Sequence, residues 1–358
     1  MRFLFRTDYN QDIDLFQFRL DRFWYGMLFA SLATAPLWLD DYWISQVTYV
    51  AGFSISVLGL MLLAGFTGQV SLGHAAFVGI GAYAEAILMQ RGVPFPISLI
   101  LAGVLSGLIG AVIGLPALRL VGIYLAIATF AFVIIVQEVL TRWESLTGGN
   151  NGLRVPELTL FGLAIDQDWK FYYVTIVVAV LCFLGVVNVL RSPTGRAFIA
   201  IRDSEIAAQS LGVHLARYKT MAFALSAAIT GIGGGLFAHK AGYLSPESFG
   251  LIGSINLLVA VLVGGIGSVH GAVFGAAFIA VLPQIIALLK DLLPDALAHQ
   301  PGLEAGVFGL ILVLTILFEP LGIYGRYRKL LFYVSIFPLY KRATFKRQKS
   351  YTRTERVH

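Results

Sequence analysis

Residues 95–117 read FPISLILAGVLSGLIGAVIGLPA, without one charged side chain. A bilayer crossing takes about 17–25 predominantly apolar residues, because the hydrocarbon core is about 30 Å thick and a helix rises about 1.5 Å per residue. This stretch therefore reads as a membrane helix, and comparable ones recur from residue 23 to residue 318. Across the 358 residues, 58% are hydrophobic and 13% are charged, with a mean hydropathy of +0.79. Soluble domains carry about 25% charged residues, and no soluble core could hide this much apolar surface. The expected fold class is all-α, a polytopic transmembrane bundle of about ten helices.

The predicted crossings lie near 23–39, 46–66, 70–89, 95–117, 120–140, 170–190, 219–239, 253–267, 270–289 and 304–319. Cytoplasmic loops carry an excess of Lys and Arg, and this orients the chain. Loop 191–219 holds Arg191, Arg196, Arg202, Arg217 and Lys219 against Asp203 and Glu205, so it is expected inside. Loop 141–169, with Glu144, Glu157, Asp166 and Asp168 against Arg142 and Arg154, and stretch 291–303, with Asp291 and Asp295, are expected outside. Both termini then fall in the cytoplasm, and the number of crossings is even.

The resulting organisation is a cytoplasmic segment at 1–22, a transmembrane domain at 23–319 and a basic cytoplasmic tail at 320–358. The first segment mixes Arg2, Arg6, Arg19 and Arg22 with Asp8, Asp12, Asp14 and Asp21, unlike a signal peptide. Ala33-Thr34-Ala35 resembles a cleavage site, but Pro36 follows and the apolar run continues, so the first helix is read as retained. From Arg326 onward the tail has ten Lys or Arg and one acid, Glu355. That pattern suits anionic lipid headgroups and accounts for the net charge of +6 without nucleic acid. Cys182 is alone, so no internal disulfide forms.

Glycine is abundant, at 38 residues. The pairs Gly103/Gly107, Gly110/Gly114, Gly231/Gly235 and Gly267/Gly271 predict closely packed helices. Gly73-His74-Ala75-Ala76-Phe77-Val78-Gly79 and Val269-His270-Gly271-Ala272-Val273-Phe274-Gly275 echo each other, either as an internal repeat or by chance. Glycine clusters 231–235 and 264–267 lack the Lys-Ser/Thr of a phosphate loop, and no HExxH or paired-cysteine spacing points to a metal. Glu85 and Glu138 lie toward the outer ends of their crossings, where they either meet headgroups or line an outer mouth. Gln69, Ser71 and His74 open an apolar helix; they either satisfy backbone groups at a break or line a translocation path. Asn256 has the same two options, an interhelical hydrogen bond or a substrate contact. Residues 147–152 are turn-forming by composition.

In loop 191–219, Ser204 is a plausible helix cap, Asp203 and Glu205 favour the positive end of a helix dipole, and Gly212 can end the helix. Ile206, Ala207, Ala208 and Leu211 give the short helix an apolar face. Such a helix is either an ordinary interfacial element or a handle for a soluble partner.

The chain resembles the LivM-like permease subunits of bacterial ABC importers for branched-chain amino acids, from about Val50 to Gly322. The carriers are Leu63 through Phe77 (LAGFTGQVSLGHAAF), Thr147 through Gly152 (TGGNNG), Gly195-Arg196 through Leu211-Gly212, and Gly264-Gly265-Ile266-Gly267-Ser268 before Gly271. The resemblance implies that Arg202, Asp203, Glu205, Ala207, Ala208 and Gly212 belong to a coupling helix that docks into an ATPase groove. Ile206 interrupts the usual Glu-Ala-Ala of that motif. The resemblance further implies a second, LivH-like permease subunit, two cytoplasmic ATPase subunits that hold ATP and Mg²⁺, and a periplasmic substrate-binding protein facing Gly148, Gly149, Asn150 and Asn151. This chain would bind no cofactor, catalyse no bond chemistry and reside in the bacterial inner membrane. Branched-chain amino acids are the family's default substrate, with urea and short amides as alternatives. An ion-coupled secondary carrier is the rival from another class, and it would need titratable groups at mid-membrane.

Overall fold

The apolar stretches form helices that run between two ends of one bundle in the computed structural model, which describes residues 19–118, 120, 122–160, 163–290, 303–319 and 321–336. Helix α1 is Arg19–Thr34, followed by a 3₁₀ turn over Ala35–Leu37 that contains Pro36. Helix α2 is Asp41–Leu60, and its last part widens into a π-helix over Met61–Phe66. There follow α3 (His74–Gln90), α4 (Phe95–Ala117), α5 (Ile123–Arg142) and the short α6 (Glu144–Thr147). After strands β1 (Leu153–Arg154), β2 (Thr159–Leu160) and β3 (Leu163–Ala164), α7 (Asp168–Arg191) crosses to the other end. There the chain makes α8 (Pro193–Asp203) and α9 (Glu205–Ser210), and α10 (Leu215–Ala241) returns. Strand β4 (Tyr243–Leu244) and a 3₁₀ turn (Pro246–Phe249) lead into α11 (Leu251–Gly264), then α12 (Val269–Lys290), α13 (Leu303–Phe318) and α14 (Gly322–Ile336). Strand β1 pairs antiparallel with β4, and β2 with β3, so all the strands lie at one end.

An all-α membrane bundle is thus observed, but the helix count is corrected. The described residues hold fourteen α-helices, and six spans are long and apolar enough to cross a bilayer. Four helices that hydropathy alone did not separate as crossings (α6, α8, α9 and α14) are short or polar. The tail expected from residue 320 begins as α14, whose Tyr324 stacks on His270 of α12 with ring centroids 5.5 Å apart. Asp291, Asp295 and the tail beyond residue 336 lie outside the described residues, as do the charged residues of segment 1–18.

Two boundaries shift for a physical reason. The third crossing, expected from residue 70, starts at His74, because residues 68–73 are non-helical. The eighth starts at Leu251 and has 14 residues, about 21 Å of helix. The chain before it turns back into the bundle: Tyr83 Oη donates to the Leu244 carbonyl, and the Phe249 ring meets that of Tyr83 at 5.9 Å. Its polar backbone is covered by protein, the condition for irregular structure at membrane depth.

Helix α10 is the hub, packed on α2, α3 and α4. Its contacts are small residue on small residue, as the glycine spacing predicts. An added Cβ at Gly103 would sit 2.8 Å from Ile232 Cγ1, at Gly107 3.0 Å from Ala228 Cβ, and at Gly231 2.5 Å from Ser106 Cβ. Gly185 of α7 has nothing within 4 Å. Overpacking a fitted seam costs about 1–3 kcal/mol. Gly231→Val should therefore lower the thermal midpoint of the detergent-purified protein by several degrees, whereas Gly185→Val should leave it within the error of the melt.

Candidate functional site

At the end of the bundle that carries α8 and α9, the polar residues of the break close a hydrogen-bond chain. Ser226 Oγ donates to the Gly59 carbonyl at 2.6 Å and lies 2.7 Å from His74 Nε2. A hydroxyl has one proton to give, so Ser226 accepts from Nε2–H, and His74 Nδ1 accepts from Ser71 Oγ at 2.9 Å. Both ring nitrogens of the imidazole are spent on protein partners. Around it, Leu72 N–H donates to Thr129 Oγ1 at 2.9 Å and Ala75 N–H to Ser254 Oγ at 3.0 Å. Gln69 is buried, with Nε2 3.4 Å from Thr67 Oγ1 and Oε1 without a partner.

The second break, between α11 and α12, touches the first. Gly265 and Gly267 take φ of 117° and 77°, and a Cβ on Gly65 would lie 2.6 Å from Gly267 N. The echoed segments around His74 and His270 each open a helix after such a break, but their environments differ. His74 is buried, whereas His270 is exposed, stacks on Tyr324 and bonds Tyr25 Oη at 2.5 Å.

Against this pair of breaks lies the loop helix. Pro193 opens α8 after an extended Ser192, and Ser204, at φ −165°, separates α8 from α9. Ser204 Oγ accepts from Ala207 N–H at 3.3 Å, so the capping role read from the sequence is present. Gly212, at φ 84°, ends the turn. Ala208 is buried, and Ile206 and Leu211 are 81% and 83% exposed. Of the six residues of α9, Ala208 and the half-buried Glu205 lie on the side toward the bundle. Arg202 donates to Asp203 at 2.9 Å and to the Gly65 carbonyl at 3.3 Å, which fastens α8 to the first break. Glu205 pairs at 2.7 Å with Lys219, whose side chain is 4% exposed.

At the opposite end, Gly148, Gly149 and Gly152 all have positive φ, as the turn composition of residues 147–152 predicts. Gly149 is buried over Glu144 and Thr141, and Thr147 Oγ1 donates to the Trp143 carbonyl at 2.8 Å. Tyr243 Oη donates to the Asn151 carbonyl. Of the four residues singled out in this loop, Asn150 and Asn151 are exposed, while Gly148 is half-buried.

A cavity of about 200 Å³ lies between α2, α3, α7, α10 and α11. Asn256 lines it; Gln69, Ser71 and His74 do not. Glu85 requires a correction. It meets no headgroup and lines no mouth: it is fully buried, accepts from Ser98 Oγ at 2.7 Å and lies 3.3 Å from His239 Nε2. The cause is its place on the face of α3 that α4 and α10 both cover. Glu138 is exposed and pairs with Arg142 one turn on. Among the described residues, no group of three or more His, Cys, Asp or Glu could hold a metal ion.

The protein family described as branched-chain amino acid transport system / permease component matches residues 43–316, more than half of the chain. The chain belongs to this family. It is similar to the high-affinity branched-chain amino acid transport system permease proteins LivM of Salmonella typhimurium and Escherichia coli, each 39% identical over 236 residues and covering 59% of this chain. The match spans 56% of the length of each of those relatives. It is also similar to an autoinducer 2 import system permease protein LsrC of an Enterobacter species, 26% identical over 205 residues, with 57% of this chain and 58% of that one covered. No solved structure matches the chain.

Within this family member, sequence reasoning missed the partners of four residues: Lys219, Glu85, His239 and Lys240. His239 and Lys240 are two bases closing the apolar run of α10, a signal that could have marked them. Lys219 was legible only as one positive charge of a basic loop. Removing one partner of a buried ion pair costs about 3–5 kcal/mol, less where one side is wet. Glu205→Gln should therefore loosen the loop: amide hydrogens of residues 205–212 should exchange several-fold faster by mass spectrometry, while Gln209→Ala should leave them unchanged.

Proposed function

We propose that this chain is one permease subunit of an ATP-driven importer for branched-chain amino acids in a bacterial inner membrane. Membership of the transport-permease family supports a transport role, and the identity to the LivM proteins supports the substrate. The observation that carries the ATP-driven part is the loop helix. Ile206 and Leu211 stand almost fully exposed on a capped helix whose flanks are pinned by Arg202 and by the Glu205–Lys219 pair. Exposed apolar side chains on a pinned, polar-flanked helix are what a groove on a soluble partner covers.

In this reading α9 docks on one of two cytoplasmic ATPase subunits, which hold ATP and Mg²⁺. Arg202, Asp203, Glu205, Ala207, Ala208 and Gly212 form the coupling element. A related, LivH-like permease completes the pathway, and a periplasmic binding protein meets the loop of Gly148, Gly149, Asn150 and Asn151. An even number of crossings with both termini in the cytoplasm accommodates the basic loop inside and the acidic loop outside. This chain then performs no bond chemistry. A second reading, an ion-coupled carrier acting alone, gains one observation in its favour, the buried Glu85–His239 pair.

Co-purification from native membrane with mass spectrometry should recover an ATPase and a second permease, and reconstituted uptake of leucine should require ATP. Transport by this chain alone without ATP would replace the importer with the carrier. Within the assembled complex, Leu211→Asp should lower ATP-driven uptake by at least about tenfold, the equivalent of about 1.4 kcal/mol at the docking surface, with membrane insertion unchanged. Wild-type uptake by that variant would remove α9 from the coupling role.

A further inference from the structure

The cavity beside Asn256 has chemistry that the transport reading does not yet use. Lys240 lines the cavity, with Nζ 2.6 Å from Ser45 Oγ and 3.5 Å from Asp168 Oδ1, two groups that stand just outside the lining at the end that carries the Asn150–Asn151 loop. Its wall holds Thr175, 1% exposed, whose hydroxyl has no partner. A hydroxyl buried in that way costs about 1–3 kcal/mol unless a ligand supplies the missing bond. The rest of the wall is largely apolar, with Phe53, Phe171, Leu236 and Phe249 prominent. The volume of about 200 Å³ leaves room for a small amino acid.

We infer that this cavity binds the transported molecule, a zwitterionic α-amino acid with an apolar side chain; the inference rests on the importer reading above. Lys240 takes the carboxylate, Asp168 the ammonium, and Thr175 and Asn256 complete the polar contacts, while the side chain lies among the aromatic rings. The charge arithmetic favours this class of ligand. A zwitterion entering between Lys240 and Asp168 brings one opposite charge for each, so every charge stays paired. Urea or a short amide would separate the pair and offer no charge in return, which discriminates against it.

Gly52 supplies the test position, because a Cβ there would lie 3.8 Å from Thr175 Cγ2 and 4.0 Å from Leu236 Cβ, in ordinary contact. The reporter is Gly52→Cys in a Cys182→Ser background, assembled with its partners and labelled by a small methanethiosulfonate reagent. Millimolar leucine should slow labelling at least about fivefold, an energy of about 1 kcal/mol, and urea should not. Lys240→Met should abolish the protection, and Lys240→Arg should retain it. Thr48→Cys, on the same wall, serves if Gly52→Cys does not assemble. Labelling that leucine leaves unchanged, in a complex that still imports leucine, would overturn the site and leave the importer standing. Equal protection by urea would overturn the zwitterion assignment. A wild-type complex that imports no branched-chain amino acid would instead overturn the importer reading on which the site rests.

Discussion

Helices in hydrocarbon gain nothing by trading lipid for protein contacts of equal apolarity, so their association depends on how closely two backbones can approach. In this protein that constraint is met along α10. Gly103 and Gly107 of α4 lie against Ile232 and Ala228, and Gly231 lies against Ser106. On the neighbouring faces, Gly234 meets the backbone of Val78 in α3, and Gly233 meets Ser56 in α2. The remaining elements are arranged around a hub in which a single added carbon has no place. The same tightness buries Glu85 and His239 together, because α3, α4 and α10 leave no lane for water between them.

The second constraint is the satisfaction of backbone groups where helices stop inside the bundle. Residues 68–73 and 265–268 are two such interruptions, and they are solved differently. The first uses side chains from three other helices: Thr129, Ser226 and Ser254. The second uses glycines at positive φ, with Ser268 Oγ accepting from Gly271 N–H at 2.9 Å. The polar side chains at Ser71 and His74 are thereby committed to holding the break. Arg202 reaches the carbonyl of Gly65 at the point where the two interruptions touch. A push on the loop helix consequently meets the two least regular points of the bundle first, which is where a packed membrane protein can yield without unfolding a helix. This geometry is in keeping with the proposed coupling.

The two ends of the molecule have different mechanical characters. At the strand end, the β1–β4 pairing, the Tyr243–Asn151 bond and the buried Thr147 tie the loop after α5 to the end of α10. At the other end, α9 is held by its flanks, and most of its surface remains uncovered. Between them, the cavity beneath Lys240 sits next to the turn that enters α11 partway into the bundle. A site at the start of a shortened helix is a recurrent arrangement for transported solutes.

Much of this was legible in the amino-acid order. Hydropathy located the crossings, glycine spacing identified the tight seams, and Ser204 and Gly212 bounded α9, because each depends on local composition or on a few neighbouring residues. The motifs of segments 63–77, 147–152, 195–212 and 264–271 carried the family. What the order could not reveal was pairing across helices. Glu85 looked like an acid near a membrane surface, Gln69, Ser71 and His74 stood equally for a break or a pathway, and Lys219 was one charge in a basic loop. Glu85, His74 and Lys219 find partners 13 to 154 positions away, and hydropathy has no range beyond one helix. The sequence by itself determined that the chain is a helical membrane protein of this transport family; the tertiary packing alone decided which polar groups are spent on structure and which are left for a ligand or a partner, because burial and hydrogen bonding are settled only when distant helices meet.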